Sequence, residues 1–509
     1  MNDQRYDHHP DQHPDHHLDR RHDHRRLGRE LDLFDTDPLI GKGLPFWLPA
    51  GAAVRHAVEA YVHRAERLAG YRHVHSPIMG KRELYEISGH WAHYREDMFP
   101  PMMVGGEEFV LRPSLCPHHA LVFRSRPRSH RDLPLRLAEL GGMHRAELSG
   151  VLGGLSRVRA IQLNDGHVFC AGEDAGREVG AALAMIAEAH RALGVTASGY
   201  RLSLRGEGDK YIDDPAMWRR AEVILREALE ERGLPYEEAA GEGAFYGPKI
   251  DVQITDPAGR ESTLSTVQVD LFQPGRFGLE YTGPDQRMRR PVMVHRSVVG
   301  SMERLMAHLV ELYGGAFPAW LAPVQVVALP VSAAELPAAG EFVRACEEAG
   351  LRAELSGPQD GTLGARIREG RLVPYQAVIG AREAAAGQVS LRLRDGSRRE
   401  PLPAAEAVAR LSGRPSPSPV TASRTTGVDK ADLRAFLLSR EARRAHRGVQ
   451  RFQQRRRLVL PGHQGGHRPV RHRHRRVGPL GAIPTATAAS GSPRRPATGR
   501  AAAAAGRTL

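Results

Sequence analysis

The stretch Met143-His-Arg-Ala-Glu147, followed by Gly150, Gly153 and Gly154 and closed by Arg157-Val-Arg159, reads as a strand, a flexible loop and a returning strand. On a strand the two-residue step from Arg145 to Glu147 sets both side chains on one face. Guanidinium forks match phosphate oxygens, so a hairpin rich in arginine suits a polyphosphate. Composition offers a plainer reading, since only five of the 72 basic residues are lysines and arginine is common throughout the chain. Short β-type runs surround the hairpin at residues 109–112, 166–170, 249–254 and 291–295, interleaved with helical patterns at 175–193, 215–232 and 300–312. Strands paired locally, with helices set to one side, imply an α/β fold around a mixed, largely antiparallel sheet.

Upstream, Val54, Ala57, Val58, Tyr61, Val62, Ala65 and Leu68 recur at steps of three and four, one apolar stripe on a helix that Gly70 stops. An extended segment, residues 71–76, follows and ends at Pro77. Beyond Trp320 the pattern becomes strand 324–330, helix 334–349, strand 351–355, helix 363–371 and strand 375–380, a βαβαβ order that calls for a small, partly parallel α/β domain ending near Leu411.

The termini differ in kind. Residues 1–24 hold seven histidines and six aspartates with almost nothing apolar, which reads as a disordered leader, with the folded body starting near Leu27. From Arg414 to Leu509 there are 21 Lys and Arg against three acids, a balance of +18 that leaves −5 for residues 1–413 out of the total of +13. The basic character therefore belongs to a tail without sustained periodicity, helix-like only at residues 430–447, and is no argument that the folded part binds nucleic acid. Three cysteines, Cys116, Cys170 and Cys346, fit no disulfide framework. With no long apolar run and a charged N-terminus, the expectation is a soluble cytoplasmic protein.

Two further groups carry chemistry. Gly300-Ser-Met-Glu-Arg304 opens a helix, where small residues permit close backbone approach and Arg304 can meet an anion; an ordinary cap with a solvated arginine is the alternative. Cys116, His167 and His295 are soft-metal ligand types, but they lie too far apart in sequence for spacing alone to argue a shared site, and buried structural Cys and His are common.

Taken in order, these segments resemble class II aminoacyl-tRNA synthetases, and the threonyl-tRNA synthetase family in particular. The helix and strand ending at Pro77 are similar to motif 1, residues 144–157 to motif 2, and 300–304 to motif 3. Further matches are Ser88-Gly-His-Trp91, Met98-Phe-Pro100, Leu115-Cys-Pro117, Asp165-Gly-His-Val-Phe169, Ala244-Phe-Tyr-Gly-Pro-Lys249 and Trp320-Leu-Ala-Pro-Val324. The resemblance implies a leader (1–22), a catalytic domain (23–319) built on an antiparallel sheet with flanking helices, a C-terminal α/β anticodon-binding domain (320–413) and a tail (414–509).

It also implies roles. Arg145 would grip the α-phosphate of ATP, brought with Mg2+, Glu147 the adenine amino group, and Arg304 the far phosphates, with Arg157 assisting. Cys116, His167 and His295 would bind zinc, leaving an open position for the amino and hydroxyl groups of threonine, while Asp165 holds the ammonium. Tyr246, Lys249 and Gln268 would line the adenylate, and Glu383 and Arg392 would read the anticodon of tRNA(Thr). A homodimer is expected across motif 1. Departures from the family pattern occur at Leu163, Asn164, Thr263, Leu264 and Ser265, and at Ser114, Leu115 and His118 around Cys116. These keep open a synthetase paralogue that activates a β-hydroxy amino acid for a biosynthetic pathway, or a tRNA-binding regulator. With so few residues ahead of Asp23, an N-terminal editing domain is not expected.

Overall fold

The computed structural model describes residues 23–413. The residue 1–22 part of the leader and the basic tail, with its helix-like piece, lie outside the described residues. The first described element lies ahead of the expected start at Leu27: Asp23 caps helix α1 (His24–Glu30) through the Arg25 N–H. His24 is no solvated leader residue: it is buried, bonded to Glu311 at 2.6 Å and receiving the Leu155 N–H at 3.1 Å.

Eight strands form the main sheet: β1 (Arg72–His73), β2 (Leu135–His144), β3 (Ala160–Cys170), β4 (Ala197–Leu204), β5 (Tyr236–Ala240), β6 (Lys249–Thr255), β7 (Glu261–Asp270) and β8 (Val292–Ser297). Their order is β5-β4-β6-β7-β8-β3-β2-β1, antiparallel except for the outermost pair at each edge. Side chains alternate across the sheet. Val168, Val267, Val269, Val294 and Ile250 point to one face and pack on helices α2 (Pro49–Leu68), α4 (Ala175–Leu193), α5 (Pro215–Glu230) and α6 (Met302–Tyr313) in the main core. The intervening residues, largely polar on β3, β6, β7 and β8, point to the other face. There helix α3 (Cys116–Arg124) covers Leu135, Leu137, Phe169 and Met293 in a smaller core.

The helices match the sequence reading closely because their apolar stripes are long. Strands were harder. β1 is only two residues of the expected 71–76 run, and β3 begins at Ala160, well before the expected 166, since its first half is only partly buried. Arg145 and Glu147 do not share a strand face: β2 ends at His144, and Ala146 gives its N–H to Asp97 instead of continuing the ladder. Cys116 opens a helix that the sequence pattern did not show.

A second sheet of five strands follows: β9 (Val326–Pro330), β10 (Ala353–Leu355), β11 (Tyr375–Ile379), β12 (Gln388–Leu393) and β13 (Leu402–Pro403), in the order β10-β9-β11-β12-β13. The first three are parallel, as the alternation with helices α7 (Leu336–Glu348) and α8 (Leu363–Glu369) requires. Arg394 ties this unit to the preceding segment by donating to the carbonyls of Ala316 and Phe317 at 2.8 and 2.7 Å.

One buried ion pair pins the middle of the main sheet. Arg296 on β8, fully enclosed, donates to Glu66 of α2 at 2.7 Å and lies 4.3 Å over the Tyr71 ring. Its guanidinium fills the space above Gly166, where a Cβ would come within 2.4 Å of it. Removing one partner of a buried pair strands the other charge, at a cost of about 3–5 kcal/mol, whereas replacing both with apolar residues costs far less. Arg296→Met is therefore expected to lower the unfolding free energy by that amount in urea titrations, and Glu66→Leu/Arg296→Met to recover much of it. A single variant within 1 kcal/mol of wild type contradicts this account.

Candidate active site

Register builds the site. Lys249 pairs with Gln268, Gln268 with His295, and His295 with His167, so four polar side chains from four strands form a row across one face. Asp165 stands two residues before His167 on the same face and opposite Glu139 of β2. Cys116 reaches the row from the first turn of α3. The Cys116 sulfur and one nitrogen each of His167 and His295 lie within 4.8 Å of one another, and all three residues are buried.

His167 Nε2 is 2.9 Å from His295 Nδ1, while the outer nitrogens are occupied: His295 Nε2 bonds Asp270 at 3.0 Å and His167 Nδ1 bonds His119 Nδ1 at 2.7 Å. Burial pushes the Cys116 thiol up and the His167 imidazole down from their ordinary ranges. One thiol and two imidazoles with converging donor atoms fit a metal of zinc's preference. Among the described residues two other groupings hold three potential ligands, His63/Glu66/His73 and Asp23/His24/Glu311, and in each the carboxylate is already satisfied by an internal partner.

Around the cluster, Asp165 is buried, accepts the Gly166 N–H at 2.9 Å and lies 3.9 Å from His167 Nε2; burial raises its pKa. The Tyr246 ring stacks on His295 at 5.1 Å and its hydroxyl donates to Gln268 at 2.5 Å. Lys249 forms an ion pair with Asp251, which also accepts from Ser203.

The arginines converge beyond this row. Gly300 adopts φ +68° with Leu264 O only 2.2 Å from where a Cβ would stand, which turns the chain from β8 into α6. Ser301 then caps the helix by accepting the Arg304 N–H. Arg304 donates to Thr263 O at 2.8 Å; burial, with the nearby charges of Arg145 and Arg157, pulls its guanidinium below the ordinary value. Crowded guanidiniums at a helix N-terminus form an anion site. Arg157 and Glu147 pair with each other at 2.8 Å, so the two expected nucleotide contacts stand together.

In the second unit Glu383 accepts from Ser390 Oγ at 3.0 Å and from the Gly380 N–H, which it caps. Ser390 and Arg392 share one face of β12, so the two expected anticodon residues lie along one surface of that strand.

Several residues at the site escaped the sequence reading. His90 stands 3.8 Å from the Cys116 sulfur and bonds Ser88, and burial, with His295 and Arg145 adding to it, takes its pKa to about 3. His119, Glu139 and Asp270 back the imidazoles. The only signal for Glu139 and Asp270 was a carboxylate with an apolar residue on either side of it in sequence. Of the departures, Asn164 faces away from Asp165 and binds Glu66 at 2.8 Å, and Ser265 donates to Val298 O; neither side chain points into the cluster.

Known families match this arrangement. Residues 103–313 match the tRNA synthetase class II core domain (G, H, P, S and T) and residues 325–414 an anticodon binding domain. A threonine–tRNA ligase of Geobacillus kaustophilus is 48% identical over 373 residues, covering 72% of this chain and 57% of that protein. The crystal structure of the RNA binding domain of threonyl-tRNA synthetase from Cryptosporidium parvum superposes with a TM-score of 0.74 at 36% identity, over 78% of this chain and 99% of that one. The chain belongs to the threonyl-tRNA synthetase family. A putative threonyl-tRNA synthetase from Aeropyrum pernix follows at TM-score 0.65 and 26% identity, over 77% of this chain and 97% of that one. This family member spans 57% of the length of the Geobacillus relative. No helix among its described residues is long and apolar enough to cross a membrane.

One group of motif 3 makes stability depend on pH. Glu303 is buried, accepts the Gln162 N–H at 3.0 Å, and has its carboxyl pushed up to about 7 by burial. A raised carboxyl costs nothing below its ordinary value of 4.5, where both states are protonated. The cost grows as pH rises toward 7 and levels above it, at about 3 kcal/mol. Glu303→Gln keeps the acceptor oxygen and removes the charge. It should match wild type near pH 5 and exceed it in unfolding free energy at pH 8; parallel curves would refute the assignment.

Proposed function

We propose that this chain carries threonine–tRNA ligase activity: it activates threonine with ATP and transfers it to tRNA(Thr) in the cytoplasm. Residues 23–319 serve as the catalytic domain and 320–413 as the anticodon-binding domain. The observation that carries the reading is the buried Asp165 carboxylate, 3.9 Å from a ring nitrogen of the Cys116/His167/His295 set. A ligand with an ammonium and a neighbouring hydroxyl, as threonine has, suits that juxtaposition.

In the first step a threonine carboxylate oxygen attacks the α-phosphorus of ATP, the bond to the β-phosphate oxygen breaks, and pyrophosphate leaves. Cys116, His167 and His295 would hold zinc, which would supply a Lewis-acidic position for the amino and hydroxyl groups. Asp165 holds the ammonium. Arg145 grips the α-phosphate and Arg304 the departing phosphates, which arrive with Mg2+. Their charge is set in place before negative charge develops, so little reorganisation accompanies the reaction. Arg157 assists, Glu147 recognises the adenine amino group, and Tyr246, Gln268 and Lys249 line the adenylate. In the second step a terminal ribose hydroxyl of tRNA attacks the activated carbonyl and AMP leaves. No side-chain nucleophile is needed when positioning and electrostatics carry the barrier. Glu383 and Arg392 read anticodon bases from their common strand surface.

Pyrophosphate exchange tests this reading. Arg145→Ala and Arg304→Ala should each lower adenylate formation ~100-fold, the usual loss for one preorganised contact to a reacting phosphate. Serine, lacking one methyl, should fall roughly 10 to 200-fold below threonine, and valine, lacking the hydroxyl, much further. Exchange that prefers valine to serine, or arginine variants within a few-fold of wild type, would refute it.

The same reading makes the chain a homodimer across α2, β1 and the segment to Pro77. β1 ends the main sheet, and Ile78, Met79, Met103 and Val104 are exposed apolar side chains. Such a surface suits a self-complementary twofold contact. A dimeric mass is expected by light scattering at micromolar concentration, and a monomeric one would exclude this assembly.

A further inference from the structure

Behind His167 runs a buried chain of hydrogen bonds. His167 Nδ1 meets His119 Nδ1 at 2.7 Å, and His119 Nε2 meets Glu139 Oε2 at 3.1 Å. Glu139 is held at four points: by His119, by Arg112 at 3.0 Å, and by the backbone N–H and hydroxyl of Ser76 at 3.2 and 2.6 Å. Arg112 and His119 are, like His167, almost wholly enclosed.

The directions of these bonds follow from one end. A carboxylate paired with arginine is an acceptor only, so His119 Nε2 donates to Glu139. A neutral imidazole with its proton on Nε2 presents a lone pair at Nδ1, so His119 accepts there. His167 Nδ1 must then donate, which leaves His167 Nε2 as a bare lone pair. The other side closes in the same way. Asp270, held by the backbone N–H groups of Phe272 and Gln273, accepts from His295 Nε2, and His295 Nδ1 is left bare. With the rings neutral, two lone pairs then face each other at 2.9 Å beside the Cys116 sulfur. Neutral acceptors at that distance repel unless a proton or a metal cation lies between them.

We propose that Glu139 and His119 are positioning residues that fix the His167 ring with Nε2 as its metal donor, so that metal affinity depends on side chains that never touch the ion. The inference rests on Cys116, His167 and His295 being a metal centre. Ser76 and Arg112 set the far end of the relay. The adjacent His118 takes no part, since its ring points to Met79 O at 3.5 Å.

Two variants of His119 divide the relay. His119→Asn keeps an acceptor oxygen near the place of Nδ1 and releases Glu139. His119→Gln extends an amide toward Glu139 in the place of Nε2 and offers His167 nothing. Zinc affinity of the full chain is measured by competition with a chromogenic chelator. Cobalt loading is followed through the thiolate-to-metal absorption that only a cysteine-bound ion gives, which separates this centre from the His-rich leader. His119→Gln should bind zinc 10 to 100-fold more weakly and alter the cobalt d–d bands, while His119→Asn stays within about threefold of wild type. Equal affinities for the two, both at the wild-type value, overturn the relay. If His119→Gln does not fold, Ser76→Ala, which removes one hydroxyl from the far end and touches no ring, should still weaken zinc several-fold; unchanged affinity there overturns the relay as well. A wild-type chain whose cobalt spectrum lacks a band abolished by Cys116→Ser refutes the metal centre itself, a different result from failure of the relay.

Discussion

Register between β3 and β8 is the constraint on which the site depends. His167 faces His295 because Val168 faces Val294, and a slip of one residue would exchange the row that carries the Cys/His cluster with the row that packs on the helices. The apolar row alone would tolerate several alignments of valine against valine. Arg296 removes that freedom. Its guanidinium has one enclosed place, over Gly166 and against Glu66, and any other register leaves a buried charge without its partner. The pair is weak as a source of net stability and strong as a determinant of alignment, which is what a site assembled from four strands requires.

That division of labour explains which parts were legible in the sequence. Helix α4 could be bounded from its periodic stripe, because burial of one face leaves a three- and four-residue rhythm. β7 could not, because Ser262, Thr263, Ser265 and Thr266 put polar groups on both faces of the strand and erase its alternation. α3 was missed for a similar reason: a short helix beginning Cys116-Pro-His-His119 has a thiol and imidazoles where a stripe would be. The metal set had no local spacing, with His295 lying 128 residues beyond His167, and only resemblance to a family joined its members. Arg296 and Glu139 did carry a signal, a charge inside an apolar strand, but nothing in the chain order says which distant residue answers it.

Arg145 and Glu147 show the opposite failure. Their spacing suggested a shared strand face, yet β2 stops at His144 and the segment leaves the ladder toward Asp97. Leaving the sheet is what brings this loop over the N-terminus of α6, where burial and the nearby charges of Arg145 and Arg157 lower the pKa of Arg304. A regular strand would have kept the arginines apart. The break in periodicity is therefore part of the site, and a reading based on regular elements had no means to anticipate it.

The two halves of the site also use electrostatics in contrasting ways. On the arginine side like charges are crowded and only partly compensated, by Glu147 on Arg157, so the site stores repulsion that an anionic ligand relieves. On the cluster side each outer imidazole nitrogen is already answered, by His119 or Asp270, and the inner nitrogens have no freedom to turn away from each other. The first arrangement favours a flexible, highly charged ligand that enters and leaves. The second favours a small cation that stays, because the hydrogen bonds aiming its donors are made before it arrives and need not be broken to hold it. Between them stands Asp165, whose burial makes its charge costly until a cationic group lies beside it. A ligand that places an ammonium there, a hydroxyl toward the cluster and a carboxylate toward the arginines satisfies all three environments at once, and one lacking any of these groups leaves a buried partner unanswered.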